Sequence, residues 1–427
     1  MSPASRPALA VALAAALAYL PSFAGVFHFD DYNVIVNYPT VHSWQALFER
    51  AGGGVRPLLK ASYVLNWTLG EGEFGFHLFN NAVHALNAAL LFLIGKDLFP
   101  RNSHAVLVSA LLFALHPAAT EAVTYISGRS SSLMASSYLG ALLVYLRGGH
   151  WAISAALFVC AVAVRETAVT LPAALLLCEL VRAERPGWKT ILRRQGAHWA
   201  LLFAGALFVL LSARYFEHLS FGYTVRSLGE NLVTQVGAVS YLALRLVSLS
   251  GYNIDPALPT LTGWNAALIF QAGSFLALGM LGAVNLRTRP WITFGVLWFF
   301  LQLAPTNSVV PRVDVANDRQ LYLAGWGLFL ALAIQLNITP RKAIPLILAF
   351  AVTSISRQLD YASEIRLWES SVRLAPWNAR GHNNLGYAYQ LAGREADARR
   401  EYHTALALDH GLRKARFNLM LLNKDLP

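Results

Sequence analysis

Residues 8–36 read "ALAVALAAALAYLPSFAGVFHFDDYNVIV". The stretch from Ala8 to Phe27 carries no charge. It has the length of about 20 apolar residues that a helix needs to cross ~30 Å of hydrocarbon. With Arg6 in front it resembles a secretory signal, but its length reads as a retained first membrane helix. Two adjacent acids, Asp30 and Asp31, follow at once. Ionised groups at a membrane edge are costly to desolvate, so this pair is either the solvated lip of a loop or a place where chemistry happens.

The rest of the chain repeats the first reading. Of its 427 residues, 56% are hydrophobic and 13% charged, against roughly 25% charged in a soluble domain. Apolar runs predict membrane spans at 8–27, 76–95, 104–117, 131–147, 150–164, 167–182, 197–213, 262–286, 290–304, 319–337 and 342–357. The expected fold class is all-α: a polytopic helical membrane protein of about 11 transmembrane helices. A further run, residues 228–249, contains Glu230, Asn231, Gln235 and Arg245 and reads as an interfacial or re-entrant helix. With eleven spans the two termini lie on opposite sides. The N-terminus and segments 96–103, 147–150, 182–197, 287–289 and 338–342 then hold thirteen Lys and Arg, from Arg6 to Lys342. About ten lie in the longer loops on the other side, so the basic segments are cytoplasmic. The net charge of +11 is thereby explained by topology and a basic C-terminal region, and a nucleic-acid partner is not expected. Cys160 and Cys178 both sit in apolar runs and read as small buried hydrophobes.

From about residue 359 the composition turns polar and Arg-rich. "ARGHNNLGYAYQLAGREADARREYHTALALDHGL" (379–412) has Leu385, Gly386, Tyr389, Gly393, Ala398, Tyr402 and Ala405 at the positions of a 34-residue tetratricopeptide repeat. The expected domains are a membrane domain over 1–358, with a first external loop at about 28–75, and a short repeat domain over 359–427 on the non-cytoplasmic side. So short an array is expected to rest on the membrane domain.

Polar residues gather at the non-cytoplasmic ends of the expected spans. Near Asp30 and Asp31 come Arg56 and Lys60, then His77, Asn80 and His84, then His116, Glu121 and Arg129. Arg165 and Glu166 follow, and later Asn307, Arg312, Asp314, Asp318, Arg319 and Tyr322. Two carboxylates facing several arginines describe a site that handles an anionic substrate and needs a base. The plainer accounts are a solvated turn for the acids, snorkelling at helix ends for the arginines and an aromatic belt for Tyr322. His77 and His84 share a helical face and His116 could join them, but no short ligand spacing supports zinc. No metal and no cofactor is expected. The "NWT" sequon at Asn66 carries no weight in this reading.

Six stretches carry a resemblance: "FDDYNVIV", "RPLLKASYVLN", "FHLFNNAVHALN", "HPAATEAVTYISGRSSSLMA", "RETAVTLPAALLLCEL" and "PTNSVVPRVDVANDRQLYLAGWG". Together with the repeats, they resemble the transmembrane and tetratricopeptide-repeat (TMTC-like) family of protein O-mannosyltransferases, in its bacterial type. That family belongs to the GT-C glycosyltransferase superfamily. The chain departs from the family pattern at Arg165, where Lys is frequent, and at Asn317-Asp318 before Arg319, where Glu is usual. The resemblance implies a GT-C-like membrane domain and an inverting transfer of a sugar, mannose by family, from a polyprenyl-phosphate carrier to a hydroxyl acceptor. That acceptor is expected to be Ser or Thr of a protein, docked near the repeat domain. It implies Asp30 as base with Asp31 beside it, and Arg165, Arg319, Arg129, Arg56 and Tyr322 around the donor phosphate. His77, His84, His116, Glu121 and Glu166 are left for sugar or acceptor contacts. The Ala/Leu/Arg-rich composition points to a bacterial inner membrane, with undecaprenyl phosphate as carrier and the site in the periplasm. The alternatives are a related enzyme glycosylating a lipid, polysaccharide or pilin, and a non-catalytic repeat scaffold or a transporter.

Overall fold

The chain was analysed as a computed structural model, which describes residues 5–50 and 55–424. Positions 51–54, within the expected external loop, and the extreme ends of the two expected domains lie outside the described residues. Every one of the eleven apolar runs is helical, and no strand occurs among the described residues. Five helices are long and apolar enough to cross a bilayer unaided: Ser5–Ala24, Glu73–Leu98, Trp188–Leu211, Ala266–Val284 and Pro340–Asp360. A sixth is added if Pro100–Leu115 and Pro117–Val123, bent by 48°, count as one. The remaining runs form shorter helices, among them Trp151–Val164 and Pro290–Leu303, which pack against longer neighbours. The protein is an all-α polytopic membrane protein.

Helix Glu73–Leu98 is the centre of the first half, packed on Ser5–Ala18, Ser103–Leu115 and Arg129–Leu146. Its polar residues are the glue. Asn81 donates to the Ala16 carbonyl (3.0 Å), Asn87 to Ser132 O (2.8 Å) and Asn80 to Val123 O (3.0 Å). Side-chain amides that bond a neighbouring backbone stabilise helix pairs where lipid gives no hydrophobic drive. Asn66 is spent likewise on Gly75 O (3.0 Å) and is buried, so the sequon is not presented to solvent. In the second half Trp326 meets Phe294 and Trp298 edge-on, and Phe294 stacks on Trp298, with ring centroids 5.2–5.5 Å apart, both favoured aromatic geometries.

The run at 228–249 forms the helix Leu228–Arg245, opened by a reciprocal cap between Ser227 and Glu230. Two of its polar residues bond the loop that follows Pro290–Leu303. Asn231 donates to Ser308 O (2.8 Å), and Gln235 Oε1 accepts from Asn307 (2.9 Å).

The repeat helices are Glu364–Leu374, Ala379–Leu391, Glu395–Leu408 and Arg413–Lys424. A Cβ on Gly386 would lie 2.8 Å from the Tyr402 ring, which explains the small residue facing an aromatic in the repeat pattern. Their core is shared with the membrane domain: Tyr361, Leu367, Trp368, Leu385 and Tyr402 cluster with Tyr125 and Ile254.

Between Leu115 and Arg129 the chain doubles back over a short helix, Thr120–Val123, and a tight turn at Ile126–Gly128. A Cβ at Gly128 would stand 1.9 Å from the Glu121 carbonyl oxygen. That obstacle is backbone, so a larger residue forces the turn apart, and overpacking of this kind costs about 1–3 kcal/mol. Gly128→Ala is therefore expected to lower the melting temperature of the detergent-solubilised protein; an unchanged melting curve would contradict this account of the turn.

Candidate active site

Four segments meet over one end of the helix bundle. The first is the loop after the opening helix. His28 Nε2 bonds the Tyr361 carbonyl (2.7 Å), and Phe29 takes a left-handed backbone (φ 45°), strained for a residue with a side chain. One turn of π-helix follows at Tyr32–Val36. The second is the start of helix Pro57–Leu69, where Arg56 is also left-handed (φ 59°). The third is the turn at 125–130. The fourth combines Arg165, between Trp151–Val164 and Leu171–Val181, with the loop at 304–320.

The structure separates the two adjacent acids. Asp31 is fully buried; its Oδ2 accepts from the His28 N–H (3.0 Å) and its Oδ1 from the Ser127 N–H (2.7 Å). Burial pushes its carboxyl up to about 6 against these bonds. Both oxygens are therefore occupied in stapling the loop to the turn. Asp30 is only partly buried. Its backbone N–H donates to the Tyr125 hydroxyl (3.0 Å), and the residue lines a cavity of about 340 Å³, at the lower end of the range for small-molecule sites. Burial raises the Asp30 carboxyl above the ordinary carboxylate range, with Arg319 acting in opposition.

Five cations share that cavity with Asp30: Arg56, Lys60, Arg165, Arg312 and Arg319. Two already hold carboxylates. Arg56 forks Glu166 (3.0 and 2.6 Å). Glu121 accepts the Arg319 N–H (3.0 Å) and lies 3.5 Å from its guanidinium. Arg165 reaches only the hydroxyls of Ser130 (3.2 Å) and Ser131. Arg165 Nε, Arg312 Nη1 and Arg319 Nε have no hydrogen-bond partner among the described residues. Buried donors left unsatisfied are rare, and a cluster of them around one cavity fits an oxyanion such as phosphate, whose oxygens suit the planar guanidinium forks. A small cleft of about 30 Å³ continues behind Arg165 and Arg319 towards Thr167, Gln302 and Tyr322.

Several expected site residues lie elsewhere. Arg129 is fully buried away from the cavity, with its donors used on Asn80 Oδ1 (2.6 Å), Ser62 O (3.0 Å) and Phe76 O (3.1 Å). The rings of Tyr63, Phe76 and Phe79 cover it at 4.4–5.3 Å. It ties three segments together and does not line the cavity. Tyr322 does not reach the main cavity; its hydroxyl bonds His84 Nδ1 (2.8 Å) and Asn87 (3.0 Å). The other nitrogen of His84 meets Ala114 O (3.0 Å). His77 bonds Gly25 O (3.2 Å) and His116 bonds Leu246 O (3.2 Å), so all three histidines tie separate segments together, and none lines the cavity. Glu121 and Glu166 do not line the cavity but bond Arg319 and Arg56, which do. Lys60 and Arg312 line the cavity although only their sequence context singled them out. Tyr125, on which Asp30 hangs, carried no signal beyond its neighbourhood.

The fold and site define a helical membrane protein with a cavity lined by one acid and five cations, and with a C-terminal helical region packed on the loops next to it. No protein-family model matches the chain. It is 27% identical to protein O-mannosyl-transferase TMTC1 of Homo sapiens over an alignment covering 100% of this chain and 57% of that protein. With protein O-mannosyl-transferase F38B6.6 of Caenorhabditis elegans it shares 25% identity over 92% of this chain and 61% of the relative. With protein O-mannosyl-transferase Tmtc2 of Drosophila melanogaster it shares 32% over 46% of this chain and 23% of the relative. The chain thus spans about six-tenths or less of the length of these relatives, and its similarity to O-mannosyl-transferases of the TMTC type runs along most of its own length.

Arg129→Met removes the donors and leaves buried carbonyls without partners, at about 1–3 kcal/mol for each orphaned acceptor. The expected result is a large loss of thermal stability with the cavity's anion affinity unchanged in the folded fraction. Weakened binding of inorganic phosphate without loss of stability would return Arg129 to the site.

Proposed function

We propose that the protein is a membrane glycosyltransferase that moves a sugar from a polyprenyl-phosphate carrier to a hydroxyl of a protein acceptor. Mannose is the sugar named for its relatives. The observation that carries this reading is the composition of the cavity: one accessible carboxylate, Asp30, among five cations of which three keep unpartnered N–H groups. The acceptor hydroxyl is weakly acidic and must lose its proton as it attacks the anomeric carbon; Asp30 takes that proton. The bond from the anomeric carbon to the carrier's phosphate oxygen breaks as the new glycosidic bond forms. The negative charge left on the phosphate develops against Arg165, Arg312 and Arg319, donors already fixed in place before the reaction. A single displacement inverts the anomeric centre and uses one carboxylate, whereas retention requires a second as nucleophile. Asp31, with both oxygens bonded to backbone, is not available for that second role. Glu121 and Glu166 set the directions of Arg319 and Arg56.

The positive-inside pattern supports a site on the non-cytoplasmic side, periplasmic in a bacterium, with undecaprenyl phosphate as the carrier there. The cations supply the charge stabilisation for which related chemistry elsewhere employs a metal ion.

Asp30→Asn is expected to reduce sugar transfer from labelled polyprenyl-phosphate mannose by at least about 100-fold, the usual contribution of a general base, with expression and melting temperature retained. Transfer at the wild-type rate would remove Asp30 as base. Because burial raises its carboxyl, the ionised, active form is present above that raised value and disappears as pH falls through it. The acidic limb of kcat/KM should therefore lie above the ordinary Asp value of about 3.9, and Glu at position 30 should move that limb. Treatment with a chelator is expected to leave transfer unchanged; restoration by an added divalent cation after its loss would overturn the arginine-based scheme.

A further inference from the structure

The segment leading into Asp30 is held from outside the membrane domain. The Val26 N–H and His28 Nε2 both bond the carbonyl of Tyr361 (3.2 and 2.7 Å), and His28 Nδ1 lies 3.4 Å from Glu364 at the first repeat helix. Phe29, next to Asp30, has its ring against Trp368 (centroids 5.4 Å apart, edge-on) and under the Arg380 guanidinium (5.7 Å). Its left-handed backbone persists only because those neighbours over-determine it. Arg380 also ties the repeat helices to two loops of the membrane domain. It forks Asp255 (2.7 and 2.7 Å) and reaches Asp314 (2.8 Å), on the same loop as Arg312 and Arg319. Asn378 donates to Asp255 O (3.0 Å), and Trp377 to Ala257 O (3.2 Å). Ala257 is again left-handed (φ 45°). Three of the four non-glycine left-handed residues among the described ones, Phe29, Arg56 and Ala257, thus lie at the cavity or under the repeats.

We propose that the repeat domain is a positioning element of the active site: Trp368 and Arg380 grip Phe29, which fixes the direction of Asp30, while Arg380 ties the same grip to the arginine-bearing loop through Asp314. This inference rests on the reading of Asp30 as base. It gives the repeats a second task besides acceptor docking, since one guanidinium joins the acid's loop to the phosphate loop. Neither Trp368 nor Arg380 lines the cavity, so both act through their neighbours. The charge of Arg380 also reaches Asp30, which faces Arg319, Asp314 and Tyr125 as well. Arg380 is one of the influences that lower its carboxyl.

The test uses the full chain in membranes, with mannosyl-phosphoryl-undecaprenol as donor and label on protein as readout, over a range of donor concentrations. Arg380→Ala and Trp368→Ala are expected to lower kcat by about tenfold to a hundredfold, the scale of a misplacement of about 1 Å, with donor KM held within about twofold. The acidic limb in Arg380→Ala should move to higher pH, because a lowering charge has been withdrawn. Arg380→Lys, which keeps the charge but not the fork, should recover the pH limb and only part of kcat. Arg400→Ala, an exposed change on the same domain, should match wild type. Should Arg380→Ala fail to accumulate, Phe29→Leu removes the gripped ring while leaving the ion pairs intact and carries the same kcat expectation. Wild-type kcat in Phe29→Leu and Trp368→Ala, or an effect confined to acceptor KM, overturns the proposal. Asp30→Asn measured alongside separates the two readings. If Asp30→Asn is inactive while these variants keep wild-type kcat, only the positioning role falls; if it transfers normally, the base assignment falls first.

Discussion

The Asp31 carboxylate, shared between the His28 and Ser127 N–H groups, is the contact from which the rest of the site takes its shape. It joins two loops that are 96 residues apart in sequence and makes them one surface. On one side of that staple Asp30 turns into the cavity. On the other the chain doubles back through Gly128, bringing Ser130 and Ser131 to Arg165. A buried carboxylate holding two backbone donors is directional and has nowhere to relax, so the two loops share one register. Adjacent acids of identical chemistry thereby receive different surroundings, one buried and bonded to backbone, the other facing the cavity.

Around that staple the cavity is organised by partial neutralisation. Glu166 and Glu121 each engage one arginine, and the others meet only hydroxyls or nothing among the described residues. Complete pairing would leave no attraction for an anion; no pairing would place five like charges in one small space at severe cost. The observed compromise keeps the guanidinium planes oriented while leaving donors available. The repeat domain extends the same logic outward, since Arg380 serves two carboxylates and an aromatic ring at once.

Much of the membrane fold was legible because apolar runs and basic segments are one-dimensional signals: all eleven runs became helices. Run length did not foretell which helices are long enough to cross a bilayer alone, because several are shortened by prolines and breaks such as Pro117 and Arg165. Arg56, Arg165 and Arg319 could be picked out with Asp30 because cations flanking apolar runs are conspicuous. Arg129 looked the same in sequence, yet its partners Asn80, Ser62 and Phe76 are 49 to 67 residues away, and only the packing decides between a ligand and a staple. His77, His84 and His116 misled for the same reason. The carbonyls that satisfy them belong to distant segments with no side-chain signature. Tyr125 and the grip on Phe29 were invisible because backbone strain and ring contacts leave no periodic trace.

The unpartnered N–H groups have a kinetic corollary for the proposed reaction. A sugar phosphodiester carries one negative charge, while the discharged carrier, a phosphomonoester, approaches two near neutrality. Donors arranged for the developing charge therefore hold the spent lipid at least as firmly as the loaded one. Turnover would then be paced by exit of the empty carrier rather than by bond-making, as in many enzymes whose slow step is product release, and accumulated free polyprenyl phosphate would act as a brake on the protein that generates it.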